Sequence, residues 1–290
     1  MDATAFHQGA TMSRLSSRAL ATIAATAVVV SLAACTPAAE EPTDAGATYV
    51  TDGKFTVATG EPAYYPYVID DAPESGEGFE AAVAYAVAEE LGFAPDDVVW
   101  VRSTFDEAIA PGPKDFDVNL QQFTILPERA ENVDFSSPYY STPQAIITVE
   151  SSPAASATSI ADLTDLLIGA QTGTTSFTTI EDVIKPTAGA QVFNTNDDAK
   201  LALENGTVDA IVVDLPTAFY LTGVELTGGV LLGQLPAAAG VSDEWGFVLA
   251  KDSALTADVT AAVDALREDG TLDAIADEWL GADAGAPVLN

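Results

Sequence analysis

The order of segments between Lys54 and Leu280 predicts an α/β protein of two lobes, each a sheet flanked by helices, with a ligand cleft between them. Three observations carry that expectation. Short β-branched runs alternate with segments of helical period. The alternation comes in two blocks. A Ser/Ala/Pro stretch from Ser151 to Ser159 lies between the blocks and suits a crossing from one lobe to the other.

Lys54 to Thr59 reads as the first strand, and an aromatic loop, Glu61-Pro62-Ala63-Tyr64-Tyr65-Pro66-Tyr67, follows it. Gly78-Phe79-Glu80 opens a helix with apolar residues at Phe79, Val83, Ala86, Val87 and Leu91, which Gly92 is placed to end. Val98–Val101 is a strand, Thr104 caps a short helix through Ile109, and Asp117–Leu120 returns as a strand. The apolar run Ala145–Val149 is a buried strand. In the second block, strands at Leu166–Ala170, Gln191–Phe193, Asp209–Val213 and Val230–Leu235 alternate with helices near Phe177–Ile184 and Asp197–Asn205. Trp245–Ala250 starts the return to the first lobe. Two helices finish the chain, one carrying Leu255, Val259, Val263 and Leu266, the other running from Thr271 to Trp279.

The first 35 residues read as a leader outside the fold. Arg14 and Arg18 precede an apolar run, Ala19–Ala34, that ends in Leu32-Ala33-Ala34-Cys35. A basic start, a short apolar stretch and small residues before the cut are the pattern of a secretory signal. The run is shorter than the roughly 20 apolar residues of a membrane span. Met12 fits a start better than Met1, because it places both arginines close to the N-terminus. Cys35 is the only cysteine and forms no internal disulfide. Its position after Leu-Ala-Ala resembles a bacterial lipobox, which makes it the expected lipid attachment site. Each buried CH₂ of an acyl chain contributes about 0.8 kcal/mol to membrane binding. Residues 36–50, rich in Ala, Pro, Thr and Glu, read as a tether that lacks the apolar surface to order itself.

Forty-four acidic residues against ten basic ones give a net charge of −34, which argues against nucleic acid or anionic lipid headgroups as partners. The single histidine, His7, precedes the leader's apolar run. The chain after Cys35 therefore has no histidine and no further cysteine. Ser-His-Asp and Cys-His catalysis and His/Cys zinc sites are excluded there, and no cofactor is expected.

Four strings are candidates for chemistry. Arg129 follows a strand and a polar turn, where a guanidinium can hold a carboxylate through two parallel hydrogen bonds, or pair with Glu128 or Glu131 at the surface. Gln171-Thr172-Gly173-Thr174-Thr175 lies between a strand and a helix, so it is either an anion site of backbone N–H groups and hydroxyls or a plain helix cap. Asp214 ends a buried strand, where it faces a cleft and can hold an ammonium, or caps the next helix ahead of Pro216. Tyr64, Tyr65 and Tyr67 offer a ring to a ligand or pack the lobe.

Together these strings resemble the family 3 solute-binding proteins that serve polar amino-acid ABC transporters, over nearly all of Lys54–Leu280. The resemblance also rests on Gly53-Lys54-Phe55-Thr56-Val57-Ala58-Thr59, Gly78-Phe79-Glu80, Pro127-Glu128-Arg129, Val133-Asp134-Phe135-Ser136-Ser137-Pro138-Tyr139-Tyr140, Asn205-Gly206-Thr207-Val208-Asp209-Ala210 and Leu266-Arg267-Glu268-Asp269-Gly270-Thr271-Leu272. It implies a periplasmic-binding-protein-like fold of type II. Lobe 1 would span 51–148 and 240–281, lobe 2 149–239, with hinges near Val149 and Ala239 and a tail at 282–290. It implies that Arg129 grips the α-carboxylate of an amino acid, helped by Thr124, the backbone near Gln122, Thr174 and Thr175. Asp214 would take the α-ammonium, Tyr64 would stack on the ligand, and Phe105 would line the pocket. Glu61 sits where relatives that prefer basic ligands often carry an acid, so a polar or basic side chain is expected; the alternative is that Glu61 faces solvent. Gln121-Gln122 departs from the small or hydroxyl residues of many relatives and makes the wall bulkier or more polar. The expected partners are ABC permease subunits and the membrane, the latter through the lipid on Cys35, with a monomer held to the outer face of the cell membrane. A dehydratase or lyase on the same fold is the alternative, with Glu61 or Glu80 as its acid or base; a sensory ligand binder is another.

Overall fold

The computed structural model describes residues 49–236, 243–281 and 286–290. The leader, Cys35, the tether up to residue 48 and the hinge expected at Ala239 lie outside them. Among the described residues no helix is long and apolar enough to cross a membrane.

The first lobe is built on five strands: β1 (Phe55–Thr59), β2 (Val98–Arg102), β3 (Val118–Asn119), β4 (Val133–Phe135) and β12 (Val248–Ala250), in the order β2-β1-β3-β12-β4. β1 runs parallel to β2 and β3, while β12 enters antiparallel between β3 and β4. Helices α1 (Phe79–Glu90), α7 (Thr256–Glu268) and α8 (Thr271–Trp279) pack together in this lobe. Phe55, Val57, Phe79, Val83, Val87, Val259 and Val263 are fully enclosed in the shared core. The short α2 (Phe105–Ile109) starts as its sequence requires: Thr104 and Glu107 form a reciprocal capping box.

The second lobe has the strands β6 (Gln144–Val149), β7 (Ile168–Gln171), β8 (Gln191–Phe193), β9 (Ala210–Asp214) and β10 (Gly229–Gln234), ordered β10-β6-β9-β7-β8. Alternate residues of its central strands enter different cores. Ile146, Ile168 and Val212 face one side, and Ala145, Ile147, Ile211 and Val213 the other. Burial on both faces explains why these strands read as continuous apolar runs. Helices α4 (Thr175–Thr179), α5 (Asn196–Glu204) and α6 (Leu215–Tyr220) flank them. After α4 the helix widens into a π turn over Ile180–Ile184.

The crossing between lobes differs from the one expected. β6 pairs with β9 and β10, so the chain has already entered the second lobe by Gln144, ahead of the boundary expected at Val149. Ser151–Ser159 is therefore not a crossing: it turns within lobe 2 and buries Ala154 and Ala157 in that core. The link is an antiparallel ribbon of β5 (Tyr140–Thr142) and β11 (Asp243–Trp245), with Thr142 opposite Asp243. The residues 286–290, expected as a tail, dock on lobe 2. Val288 bridges to Gln234, Leu289 is 4% exposed among Leu163, Ile168 and Leu235, and Gln234 exchanges backbone hydrogen bonds with Pro287 and Leu289. Leu289 gains a buried apolar site, which a polar tail could not exploit.

Candidate functional site

The aromatic loop is held by the start of α1. Gly78 has φ 107°, and a Cβ there would lie 2.5 Å from the carbonyl oxygen of Tyr67, so only glycine permits the close approach. The first N–H groups of α1 then find acceptors in the loop: Phe79 donates to Pro66 O, and Glu80 and Ala81 to Tyr67 O. This contact places Tyr64, Tyr67 and Glu80 on one wall of the cleft, which encloses about 650 Å³, its open mouth included.

Arg129 rises from the single turn α3 (Pro127–Ala130), which Pro127 starts. Its side chain is 6% exposed. Nη1 donates to Thr124 O at 2.8 Å, and Nη2 crosses to the other lobe to reach Gly173 O at 2.9 Å. The guanidinium also lies 5.4 Å from the ring centroid of Phe105, which is itself stacked on Phe123. Burial lowers its pKa to about 10, against the opposing pull of Asp243, Glu128 and Asp214, so it stays charged at neutral pH.

Asp214 faces Arg129 from the end of β9. Its Oδ1 accepts from Gln144 Nε2 at 2.6 Å, and the same amide nitrogen reaches Asp243 Oδ2 at 2.9 Å. Burial, reinforced by the Asp243 carboxylate, pushes the Asp214 carboxyl up to about 7, while Gln144 and Arg129 pull it down. One amide thus bridges two carboxylates, in a cleft where Glu80 and Asp214 face a single cation.

The remaining expected residues divide. Thr124, Gln122, Thr174, Thr175, Tyr64 and Phe105 all line the cleft with Arg129 and Asp214. Thr124 Oγ1 donates to Asp243 Oδ1 at 3.0 Å. Thr174 caps α4, accepting from Phe177 N and donating to Gln171 O, so its hydroxyl is committed to the helix. Tyr64 is half-buried, and burial together with hydrogen-bonded Asp197 raises its hydroxyl to about 12. Glu61 departs from expectation: it is exposed and does not line this cleft. The turn at Pro62 leaves it outside, while Ala63 and Tyr64 turn inward.

Gln144, Ser176, Asn196 and Glu80 complete the arrangement, and the sequence pattern does not single out the first three. Gln144 carries one signal, as a polar residue at the head of an apolar run; its Oε1 accepts from Ser176 Oγ at 2.6 Å. Contacts across the cleft also join the lobes directly. Tyr67 and Thr217 share a hydrogen bond of 2.8 Å, and the rings of Tyr65 and Tyr220 lie 4.3 Å apart.

Comparison with known proteins matches this architecture. A model of the bacterial extracellular solute-binding proteins, family 3, matches residues 56–282. An L-arginine-binding protein of Pseudomonas aeruginosa is 30% identical over 230 residues, covering 77% of this chain and 86% of that protein. An ancestral arginine-binding protein bound to arginine superposes with a TM-score of 0.65 at 29% identity, over 78% of this chain and 98% of that one. An ancestral amino acid-binding protein, AncCDT-1, described as a precursor of cyclohexadienyl dehydratase, superposes with a TM-score of 0.64 at 28% identity, over 79% and 96%.

Proposed function

Because the chain belongs to the bacterial extracellular solute-binding proteins of family 3, we propose that it is the substrate-binding component of an amino-acid ABC transporter, closing two lobes around one α-amino acid. The observation that carries the reading is the pair of opposite charges in one cleft, Arg129 from lobe 1 and Asp214 from lobe 2. A zwitterion presents a carboxylate and an ammonium a short distance apart. Arg129 takes the carboxylate with the N–H groups left over from Thr124 O and Gly173 O, beside the hydroxyl of Thr175; the Thr124 hydroxyl donates to Asp243. Asp214 takes the ammonium, and Tyr64 and Phe105 cover the ligand. Since the two charges sit on different lobes, a ligand that bridges them favours the closed state.

The side chain is polar or basic. Glu61 does not support this, but the cleft charges do: Glu80 and Asp214 line it against Arg129 alone, with Asp243 hydrogen-bonded behind Thr124. Calorimetric titration of the purified protein with each common amino acid, beside Arg129→Ala, tests the function. Saturable binding lost in the variant supports it; no heat with any amino acid sinks it.

Residues 1–35 act as the leader, residues 36–50 as the tether, and lipid on Cys35 holds a monomeric protein on the outer face of the membrane, beside its permease. The leader's sequence pattern supports this. Cys35→Ser releases the protein into the medium; retention on the membrane would refute the anchor. Lobe 1 begins at about residue 51 and, by the pairing of β6, gives way to lobe 2 ahead of Gln144.

A dehydratase-like enzyme remains the second reading, favoured by one observation. Burial raises Glu80, on the cleft wall, to about 7, a range suited to a general acid. Recovery of the bound amino acid unchanged after prolonged incubation rejects it.

A further inference from the structure

Gln121 and Gln122 occupy adjacent positions on the lobe 1 wall, and both line the cleft. Each has its amide nitrogen committed to the protein. Gln122 Nε2 donates to Glu80 Oε2 at 2.5 Å. Gln121 Nε2 donates to Ser103 O at 3.2 Å and to Asn119 Oδ1 at 3.0 Å. The partners are acceptors: the Glu80 carboxylate once it is ionised, at and above about pH 7, a backbone carbonyl and an amide oxygen. Gln121 cannot turn over without setting its oxygen against Ser103 O, nor can Gln122 against the ionised Glu80. Each Oε1, which hydrogen-bonds to no described residue, is therefore the polar atom left for the cleft.

Glu80 fixes Gln122 twice. It is 1% exposed, and its Oε1 accepts from Gln122 N at 2.8 Å and from Tyr139 Oη at 2.5 Å. That backbone bond holds Gln122 at φ 53°, a left-handed conformation that a non-glycine residue adopts only when its surroundings compensate. Gln122 also stands at the exit of the cleft. With Tyr64, Tyr67 and Asn196 it also lines an outer space of about 1040 Å³, open solvent included, that shares these residues with the first. A ligand side chain leaving the Arg129–Asp214 pair toward that space passes Gln122, with Gln121 beside it on the cleft wall.

We infer that Gln121 and Gln122 form a specificity wall of hydrogen-bond acceptors, that Glu80 positions Gln122 within it, and that the ligand side chain is a nitrogen donor (ammonium, guanidinium or amide) and not a carboxylate. The inference rests on the amino-acid reading above. A wall of acceptors left unpaired beside a carboxylate both loses its hydrogen bonds and repels the charge.

Titration with L-glutamine and L-glutamate, which share one shape, and with L-arginine and L-lysine, tests it. The wild type binds at least one donor ligand about tenfold or more tightly than glutamate. Gln121→Met/Gln122→Met keeps the length and removes the acceptors, and reduces that ratio to within about threefold. Glu80→Gln reduces it partway, since its amide no longer dictates the orientation of Gln122. A purely structural role would weaken all ligands alike and leave the ratio unmoved. Glutamate bound as well as or better than every donor by the wild type overturns the inference without any variant, as does an unchanged ratio in the double variant. Binding of no amino acid overturns the functional reading and this inference with it; binding with the wrong preference overturns the inference alone.

Discussion

Ligand binding should expel a proton from Asp214. An aspartate ordinarily titrates near 3.8, and here burial and the neighbouring Asp243 push it up to about 7. At that value about half of the molecules carry the proton at pH 7 and about nine tenths at pH 6. An arriving ammonium favours the ionised carboxylate, so binding releases about 0.5 proton per ligand at pH 7 and about 0.1 at pH 8. Only the ionised fraction is competent, which lowers the apparent affinity roughly fivefold between pH 7 and pH 6. Calorimetry in phosphate and in Tris at one pH measures this, because the two buffers absorb the released proton with different heats. Glu80, the other raised carboxyl in the cleft, is separated by Glu80→Gln, which should retain the release; Asp214→Asn should abolish it with most of the binding. Identical heats in both buffers, with affinity flat from pH 6 to 8, would refute the assignment of Asp214 to the ammonium.

Other expectations are simpler. Arg129→Ala should cost about 2–5 kcal/mol in binding, because it removes a desolvated partner of the ligand carboxylate and the donor to Thr124 O and Gly173 O; a titration showing less than about tenfold loss would place the carboxylate elsewhere. Thr217→Val deletes the cross-lobe bond to Tyr67 and should weaken binding by about 0.5–1.5 kcal/mol, seen in stopped flow as faster release. Glu80 and Asp214 both titrate higher when folded than their ordinary values of 4.5 and 3.8, so the folded protein binds more protons through that window. Their contribution to stability is present at low pH and is lost as pH rises through about 7, so the urea midpoint of the ligand-free protein should be higher at pH 5.5 than at pH 8, and the slope should flatten in Glu80→Gln. Leu289→Ala should destabilise the protein by about 2–3 kcal/mol, read as a lower Tm, because Leu289 fills a closed site in lobe 2.

The local elements were written in the sequence because their causes are local. The period of α1, the Thr104 cap of α2, the apolar run of β6 and the span of α8 each depend on residues a few positions apart. Arg129 and Asp214 were legible for the same reason: each stands at the end of a recognisable strand or turn, in strings that resemble a known family. What lay beyond reach was pairing at long range. β6 enters lobe 2 because it meets β9 and β10, more than sixty residues downstream, and the apolar run alone does not say which sheet receives it. Glu61 and Glu80 look alike as acids near aromatic residues, yet one faces solvent and the other is buried on the cleft wall, hydrogen-bonded to Gln122 and Tyr139. Gln144 became part of the site only when folding brought Asp214 and Asp243 to its amide from seventy and ninety-nine residues away. The sequence by itself determined the family, the two α/β blocks and the opposed charges, since composition and short-range period are properties of the chain. Only the tertiary structure decided where the lobes part, which acids line the cleft and which way the wall amides point, since burial and hydrogen-bond polarity exist only between segments that folding has brought together.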